Sequence, residues 1–167
     1  MANDVDYRSD RIGSALAGTN PTVLRRLDAG FAVFGDNQHL PGYCVLLTDT
    51  PGVDRFTDLD PARQLVFLED MAVLGRAVTA VCARRDPAFR RINLEIQGNT
   101  DPLLHAHVTP RYDWEPADIV GWPPTLHHWE RRVEERPGMS EAYADLRADL
   151  AAEIDVQQER RRAGRPG

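Results

Sequence analysis

Two histidines one residue apart are the side chains of this chain best suited to chemistry. His105 and His107 lie in a stretch from Leu103 to Arg111 in which residues alternate in character as in a β-strand. Strand residues two positions apart point to the same side, so both imidazoles share one face, roughly 6–7 Å apart along the strand. The apolar residues between them would face the core. The pattern therefore predicts two imidazoles held side by side on a sheet.

The preceding segment, residues 91–97, alternates in the same way and would pair with the histidine strand. Its polar face carries Asn93, Glu95 and Gln97. Three interpretations are open. The histidines could simply face solvent, or they could bind a metal with Glu95 as the nearest third ligand. Alternatively, one imidazole acts as a nucleophile or an acid–base, aided by the turn at residues 98–100, whose N–H groups, amide and hydroxyl suit a phosphate oxygen. Spacing alone leaves the metal and covalent interpretations about level.

The elements that must position these strands are indicated by hydrophobic periodicity and turn residues. Apolar residues at intervals of three and four indicate a long helix, which starts at Asp60-Pro61 and ends at residues 84–87. Antiparallel strands flanked by helices, with the longest helix inserted mid-sheet, make an α+β fold. The other predicted elements are a helix at 8–17, a hairpin turning at 28–30, strands at 43–47, 91–97 and 103–111, and an amphipathic helix at 140–161.

Composition and charge limit the class of protein. The chain has 167 residues, 42% of them hydrophobic and 28% charged, with a net charge of −6, which is typical of one globular domain and argues against a nucleic-acid partner. Cys44 and Cys82 form no CxxC pair, so we expect two buried free thiols and no thiolate zinc site. The acidic N-terminus and the lack of a long apolar run predict no secretion signal and no membrane partner. We expect a cytoplasmic protein.

The segment from Gly98 to Arg111, GNTDPLLHAHVTPR, resembles the signature of the histidine triad superfamily, Gly-Gln-Ser/Thr-x-x-His-x-His-x-His. The likeness extends upstream to residues 31–34, 41–43, 55–59 and 92–97. It covers about residues 22–115 and is closest to the dinucleoside-polyphosphate hydrolase branch. Leu103 occupies the position of the first histidine, so this is a two-histidine variant. The resemblance implies that residues 22–115 form the core of a single domain, 1–167.

Residues outside that core are predicted from composition. A loop and a helix follow at 116–161, and residues 162–167 form a basic tail, with disorder expected from Arg160 onwards. The proline-rich stretch from Tyr112 to Pro137 holds the three tryptophans and is expected to be a packed loop. Those tryptophans are Trp114, Trp122 and Trp129.

The resemblance implies a role for each matched residue. His105, the middle histidine, would attack the α-phosphorus of a nucleotide and form a covalent nucleotidyl-histidine, while His107 would contact the phosphate and the leaving group. The position that usually binds the ribose hydroxyls falls at Gly35, where the adjacent Asp36 could serve. Residues expected to hold phosphate oxygens or support the site are Gln97, Asn99, Thr100 and Asn93.

The implied function is hydrolysis of nucleotide phosphoanhydrides or phosphoramidates, for example of a dinucleoside polyphosphate. No metal or cofactor would be held by the protein, although Mg²⁺ could accompany the substrate. The alternatives are a nucleotidyltransferase or phosphorylase of the same superfamily, and a nucleotide-binding protein with weak or no turnover. The resemblance also implies a homodimer, with the long helix and a neighbouring strand at the interface. A metal-binding histidine pair becomes the least favoured interpretation.

Overall fold

The computed structural model describes residues 6–98, 101–126 and 136–164. Within them the chain forms helix α1 (Arg11–Leu16), strands β1 (Val23–Arg26), β2 (Gly30–Phe34) and β3 (Cys44–Thr48), helix α2 (Pro61–Arg85), strands β4 (Phe89–Ile96) and β5 (His105–Tyr112), and helix α3 (Ala144–Ala163). The strands make one antiparallel sheet in the order β1-β2-β3-β5-β4. The predicted α+β class, with a long inserted helix and a C-terminal helix, is confirmed.

Helix α2 begins and ends where its sequence signals place it. The carboxylate of Asp60 accepts from the backbone N–H of Arg63 at 2.9 Å, and Pro61 occupies the first turn, where its missing N–H costs nothing. Arg84 and Arg85 end the helix, where their positive charges face the negative end of the helix dipole. Both boundaries agree with the sequence prediction to within about a residue.

The two faces of the sheet are covered by different helices. One face packs against α2 and α3 and forms the main core, which contains Phe34, Phe67 and Leu150. On the other face, Ile12 and Ala15 of α1 pack on residues of β2 and β3. Because α1 has only six residues, it covers part of that face and leaves the rest for a cavity. Cys44 and Cys82 are buried free thiols, as predicted.

A buried carboxylate fastens α3 to the rest of the fold. Asp70 on α2 is fully buried, and it accepts hydrogen bonds from the Arg161 guanidinium and from the backbone N–H of Ala29. The other terminal nitrogen of Arg161 lies 2.9 Å from Asp28. Burial raises the pKa of Asp70, and the bond to Arg161 opposes that rise. The guanidinium therefore joins the end of α3 to α2 and to the turn between β1 and β2.

This contact corrects a sequence prediction. Disorder was expected from Arg160 onwards, but α3 continues through Ala163, with a mostly buried Arg161 side chain. The C-terminal segment is basic, but one of its arginines, Arg161, is bound to the buried Asp70. No local sequence pattern predicts this contact. Residues 165–167 lie outside the described residues.

The loop after β5 also differs from its prediction. The side chains of Trp114 and Trp122 are not buried, since their exposed fractions are 48% and 40%. The loop is anchored by the buried Arg111, which is bonded to Glu115 and to two backbone carbonyl oxygens further along. Trp129 lies outside the described residues. Among the described residues, no helix is long and apolar enough to span a membrane.

The Arg161 contact predicts a large and specific loss of stability. Replacing Arg161 with Met leaves the Asp70 carboxylate buried without its counter-ion, which should lower the free energy of unfolding by about 3 kcal/mol. The adjacent Arg162→Met, at an exposed position on the same helix, should change it by less than about 0.5 kcal/mol. Urea denaturation of both variants measures the difference, and equal midpoints would contradict the assigned role.

Candidate active site

The inner side of β5 determines where its histidines point. Leu104, Ala106 and Val108 are buried in the main core on the side of α2, so His105 and His107 project from the opposite face of the sheet, as the alternation predicts. Their ring centroids lie 4.8 Å apart, with an interplanar angle of 75°. This spacing is shorter than the rise of two strand residues, so the two side chains lean towards each other.

The protonation of the His105 ring follows from its backbone partner. Its Nδ1 lies 2.8 Å from the carbonyl oxygen of Leu103. A carbonyl oxygen only accepts hydrogen bonds, so Nδ1 carries the proton and donates it. In a neutral ring the lone pair is then on Nε2. His105 is thus held in the tautomer that can attack through Nε2, and the residue in place of the first histidine contributes a backbone atom to that task.

His107 has a different partner. Its Nδ1 lies 2.6 Å from the hydroxyl of Tyr43, and the two rings are stacked with an interplanar angle of 11°. Burial, together with the nearby His105, lowers the pKa of His107 from 6.5 to about 4, and Asp101 offsets part of this effect. The His107 ring is therefore neutral at neutral pH.

The ring of Tyr43 lies directly against Gly35, which leaves room for it because it has no side chain. A Cβ at position 35 would lie 2.2 Å from Cδ1 of Tyr43, so no other residue fits there without moving the ring. The carbonyl oxygen of Tyr43 accepts from the N–H of Gly35 at 3.0 Å and from the amide of Gln38 at 2.9 Å. The tyrosine beside it thus explains why position 35 is a glycine.

A cavity of about 250 Å³ lies over the two histidines. Its floor is the sheet, and the N-terminal segment forms one wall. It combines an apolar surface with a few polar and charged groups, which is the usual composition of a small-molecule site. The lining includes Arg11, Asn20, Thr22, Val33, Asp36, Tyr43, Val45, Leu47, Asp101, Leu103, His105 and His107.

Asp36 lines this cavity and has partners that the sequence analysis missed, while its predicted contact with ribose stays a prediction. The Tyr7 hydroxyl donates to one carboxylate oxygen at 2.8 Å, and Arg11 donates to the other at 2.8 Å. Burial alone would raise the pKa of Asp36, but these two hydrogen bonds lower it below its usual value. The carboxylate is therefore ionised and held at both oxygens by the N-terminal segment.

A second cavity, of about 440 Å³, lies on another side of His105. Gln97 and Gly98 line it at the end of β4, together with residues 54–57 of the segment before α2. His105 and Leu103 line both cavities. The candidate nucleophile therefore stands between two spaces, and the predicted phosphate ligand Gln97 belongs to the second.

The other predicted residues have different outcomes. Asn93 and Glu95 lie on β4 opposite Thr109 and His107, respectively, and line neither cavity. Burial raises the pKa of Glu95. Asn93 therefore lies near the site without reaching the space in which a ligand would bind. Asn99 and Thr100 lie outside the described residues, so their predicted contacts with phosphate remain predictions.

The metal interpretation would need a third ligand beside the histidines. In the part of the chain that the structure describes, no group of three or more His, Cys, Asp or Glu side chains could hold a metal ion. In addition, Nδ1 of His105 and Nδ1 of His107 each have a hydrogen-bond partner already. Only one nitrogen of each ring is left for a ligand.

Three residues of the site were missed by the sequence analysis. Tyr7 and Arg11 come from a segment outside the family resemblance, and they meet Asp36 across 29 and 25 residues of chain. Tyr43 was recognised as the start of a strand. Alternation along the strand indicates that Tyr43 points to the same side as Val45, but its approach to His107 follows only from the pairing of Val45 with that histidine in the sheet.

Comparisons with known structures identify the fold. A histidine triad protein from Marinobacter aquaeolei superimposes with a TM-score of 0.64 at 20% sequence identity, covering 81% of this chain and 89% of that one. A hypothetical histidine triad nucleotide-binding protein from Sulfolobus tokodaii gives 0.60 at 10% identity, covering 88% and 92%. A zinc-bound histidine triad family protein from Mycobacterium smegmatis gives 0.59 at 15% identity, covering 91% and 97%.

The chain therefore has the histidine triad fold, over nearly the full length of these proteins. No protein-family model and no curated protein sequence matches the chain. At these levels of identity the likeness establishes the architecture. What the site does must be argued from its own residues.

The lowered pKa of His107 predicts a dependence of stability on pH. Between pH 6.5 and about 4 the unfolded chain binds a proton at this ring that the folded chain does not, so stability falls as the pH falls through this range. The full shift corresponds to about 3 kcal/mol, and partial exposure of the ring reduces the expected loss to about 2 kcal/mol.

His107→Asn isolates this contribution, because the amide keeps a polar group beside Tyr43 and does not titrate. Urea unfolding at pH 7 and at pH 4.5 should show a loss that is smaller by about 2 kcal/mol in the variant than in the wild type. An equal loss in both proteins would mean that His107 titrates normally in the folded state.

Proposed function

We propose that this protein is a nucleotide hydrolase that cleaves phosphoanhydride or phosphoramidate bonds through a covalent intermediate on His105. The observation that carries the proposal is the hydrogen bond from Nδ1 of His105 to the Leu103 carbonyl oxygen, which leaves Nε2 unprotonated beside a cavity. A nucleophile needs this state, and attack on phosphorus requires a neutral imidazole. The fold fits this function, since the Sulfolobus tokodaii protein with the same fold is described as a hypothetical nucleotide-binding protein.

The reaction would proceed in two displacements. Nε2 of His105 forms a bond to the α-phosphorus while the bond to the leaving group breaks, and the leaving group departs with that electron pair. Positive charge that develops on the imidazole is stabilised through Nδ1–H by the carbonyl oxygen of Leu103. Water then attacks the same phosphorus and loses a proton to solvent, while the P–N bond breaks and its electron pair returns to Nε2 of His105. The product is a nucleoside monophosphate.

The first cavity is suited to the nucleoside. Val33, Val45 and Leu47 offer an apolar surface for a base. At the rim, Asp36 is an ionised acceptor whose two oxygens are already oriented by Tyr7 and Arg11. Each oxygen retains a lone pair, so the carboxylate could accept hydrogen bonds from the vicinal hydroxyls of a ribose.

The second cavity is suited to the phosphates and leaving group, because it borders His105 and contains the amide of Gln97. A substrate that fills both spaces would have a nucleotide on one side of the scissile bond and a further group on the other. A dinucleoside polyphosphate has this form, and so we propose the dinucleoside-polyphosphate hydrolase branch. Mg²⁺ would accompany such a substrate through its phosphates. The buried reduced thiols suit a cytoplasmic location.

The nucleophile is tested by removing its ring. Wild-type protein incubated with diadenosine tetraphosphate or adenosine phosphoramidate should release AMP, and His105→Gly should lower the rate by at least about 10³-fold. Intact-protein mass spectrometry of a rapidly quenched wild-type reaction should show the added mass of one adenylyl group, which is AMP less one water, and the variant should show none. Calorimetry should show that the variant still binds AMP.

The same assay separates the alternatives. Transfer of AMP to inorganic phosphate in place of water, with ADP as product, would identify a phosphorylase. Binding of AMP by the wild type without turnover or adduct would identify a nucleotide-binding protein and contradict the hydrolase. Loss of activity with a chelator that only zinc restores would return the metal interpretation.

We also propose a homodimer that forms through β4. This strand is at the edge of the sheet, so its outer backbone groups have no neighbouring strand in the described part of the chain. Leu94 and Ile96 on the strand are exposed by 43% and 39%, and Leu65 and Leu68 on α2 by 65% and 38%. An unpaired edge beside exposed apolar side chains favours a second copy of the chain as its cover.

Light scattering coupled to size exclusion measures this assembly directly. The wild type should elute with twice the mass of 18.7 kDa. Leu94→Asp should yield the monomer because it places a charge in the apolar contact, whereas Val156→Asp, at an exposed position on α3, should leave the mass unchanged. A monomeric wild type would contradict the dimer but leave the hydrolase proposal intact.

A further inference from the structure

The hydroxyl of Tyr43 has one described hydrogen-bond partner, Nδ1 of His107, at 2.6 Å. The phenol is mostly buried, and this burial raises its pKa far above the ordinary value, so the hydroxyl retains its proton. A buried O–H that donates to nothing costs free energy, whereas an unused lone pair costs less. The bond therefore runs from the tyrosine O–H to the imidazole nitrogen.

We propose that Tyr43 is a positioning residue, which donates its hydroxyl proton to Nδ1 of His107 and so holds the ring proton of that histidine at Nε2. A neutral imidazole has one protonated nitrogen, so occupying the lone pair at Nδ1 settles the tautomer. The chemical role assigned to His107 rests on the hydrolase proposal. The tautomer does not.

The two adjacent imidazoles then carry opposite tautomers. His105 has its proton at Nδ1, bonded to a carbonyl oxygen, and its lone pair at Nε2. His107 has its lone pair at Nδ1, occupied by Tyr43, and its proton at Nε2. Both rings line the same cavity, so one presents a nucleophile and the other a hydrogen-bond donor.

This arrangement assigns a specific role to His107. Its Nε2–H donates to a non-bridging oxygen on the phosphorus that His105 attacks. This hydrogen bond strengthens as negative charge grows on that oxygen in the transition state. The ring remains neutral throughout, so no proton is transferred from it. A cation at this position would be disfavoured by burial and by the neighbouring imidazole.

Gly35 contributes to the same positioning of His107 through Tyr43. Because its missing side chain makes room for the phenol ring, Gly35→Ala should push Tyr43 away from His107 without removing the hydroxyl. Gly35→Ala should therefore weaken the Tyr43–His107 hydrogen bond while the tyrosine itself is unchanged.

Long-range ¹⁵N–¹H correlation spectra of the histidine rings test the tautomer directly. At pH 7 the wild type should show His107 protonated at Nε2 and unprotonated at Nδ1. In Tyr43→Phe, loss of the donor should raise the pKa of His107 by about one unit and allow partial protonation at Nδ1. Tyr112→Phe, which removes another hydroxyl of the sheet, one bonded to Pro41, should leave the His107 signals unchanged.

Kinetics with diadenosine tetraphosphate then measure the consequence. Tyr43→Phe and Gly35→Ala should lower kcat about 10- to 100-fold and change KM by less than about threefold, because the donor acts mainly in the transition state. A wild-type His107 protonated at Nδ1 would overturn the proposal, as would a Tyr43→Phe variant with unchanged His107 signals and kcat. The spectra require no turnover, so failure of the hydrolase assay would leave the tautomer test valid.

Discussion

The alternation of side chains along β5 is the constraint on which the site depends. Leu104, Ala106 and Val108 fill the core against α2, and any shift of register by one residue would expose them while burying the imidazoles. The same strand pairs with β3 on one side and β4 on the other, so its position is set from both directions. The packing of the core therefore also determines the face of the sheet from which His105 and His107 project.

Much of this could be predicted because the signals are local. Periodicity located α2, α3 and the strands, and alternation placed His105 and His107 on one face away from the core. The hydrogen-bond partners of the two rings could not be obtained in this way. The Leu103 carbonyl depends on the backbone leaving strand geometry just before His105, and Tyr43 depends on which strand β5 pairs with. Both are properties of the assembled sheet.

Long-range ion pairs account for the remaining surprises. The chain contains 20 arginines and no lysine. The guanidinium has five donors in a planar fork, so one side chain can join two elements, as Arg161 joins Asp70 and Asp28. Arg11 on α1 and Arg161 on α3 each form an ion pair with an aspartate that is distant in the sequence. The charge pattern therefore wrongly predicted disorder where the last turns of α3 are helical, and it did not reveal the partner of Arg11.

The steric relation between Gly35 and Tyr43 limits how this site can change by mutation. An acidic side chain at position 35, the ribose-binding position that the sequence resemblance predicts, cannot be introduced while the phenol ring occupies that space. Removing the ring first would take the donor from His107 before any new ribose ligand was present. Under the role proposed for Tyr43, each single step passes through an impaired site, so the two positions constitute an epistatic barrier. The neighbouring Asp36, already oriented by the N-terminal segment, is the acid that remains accessible to a lineage confined by that barrier.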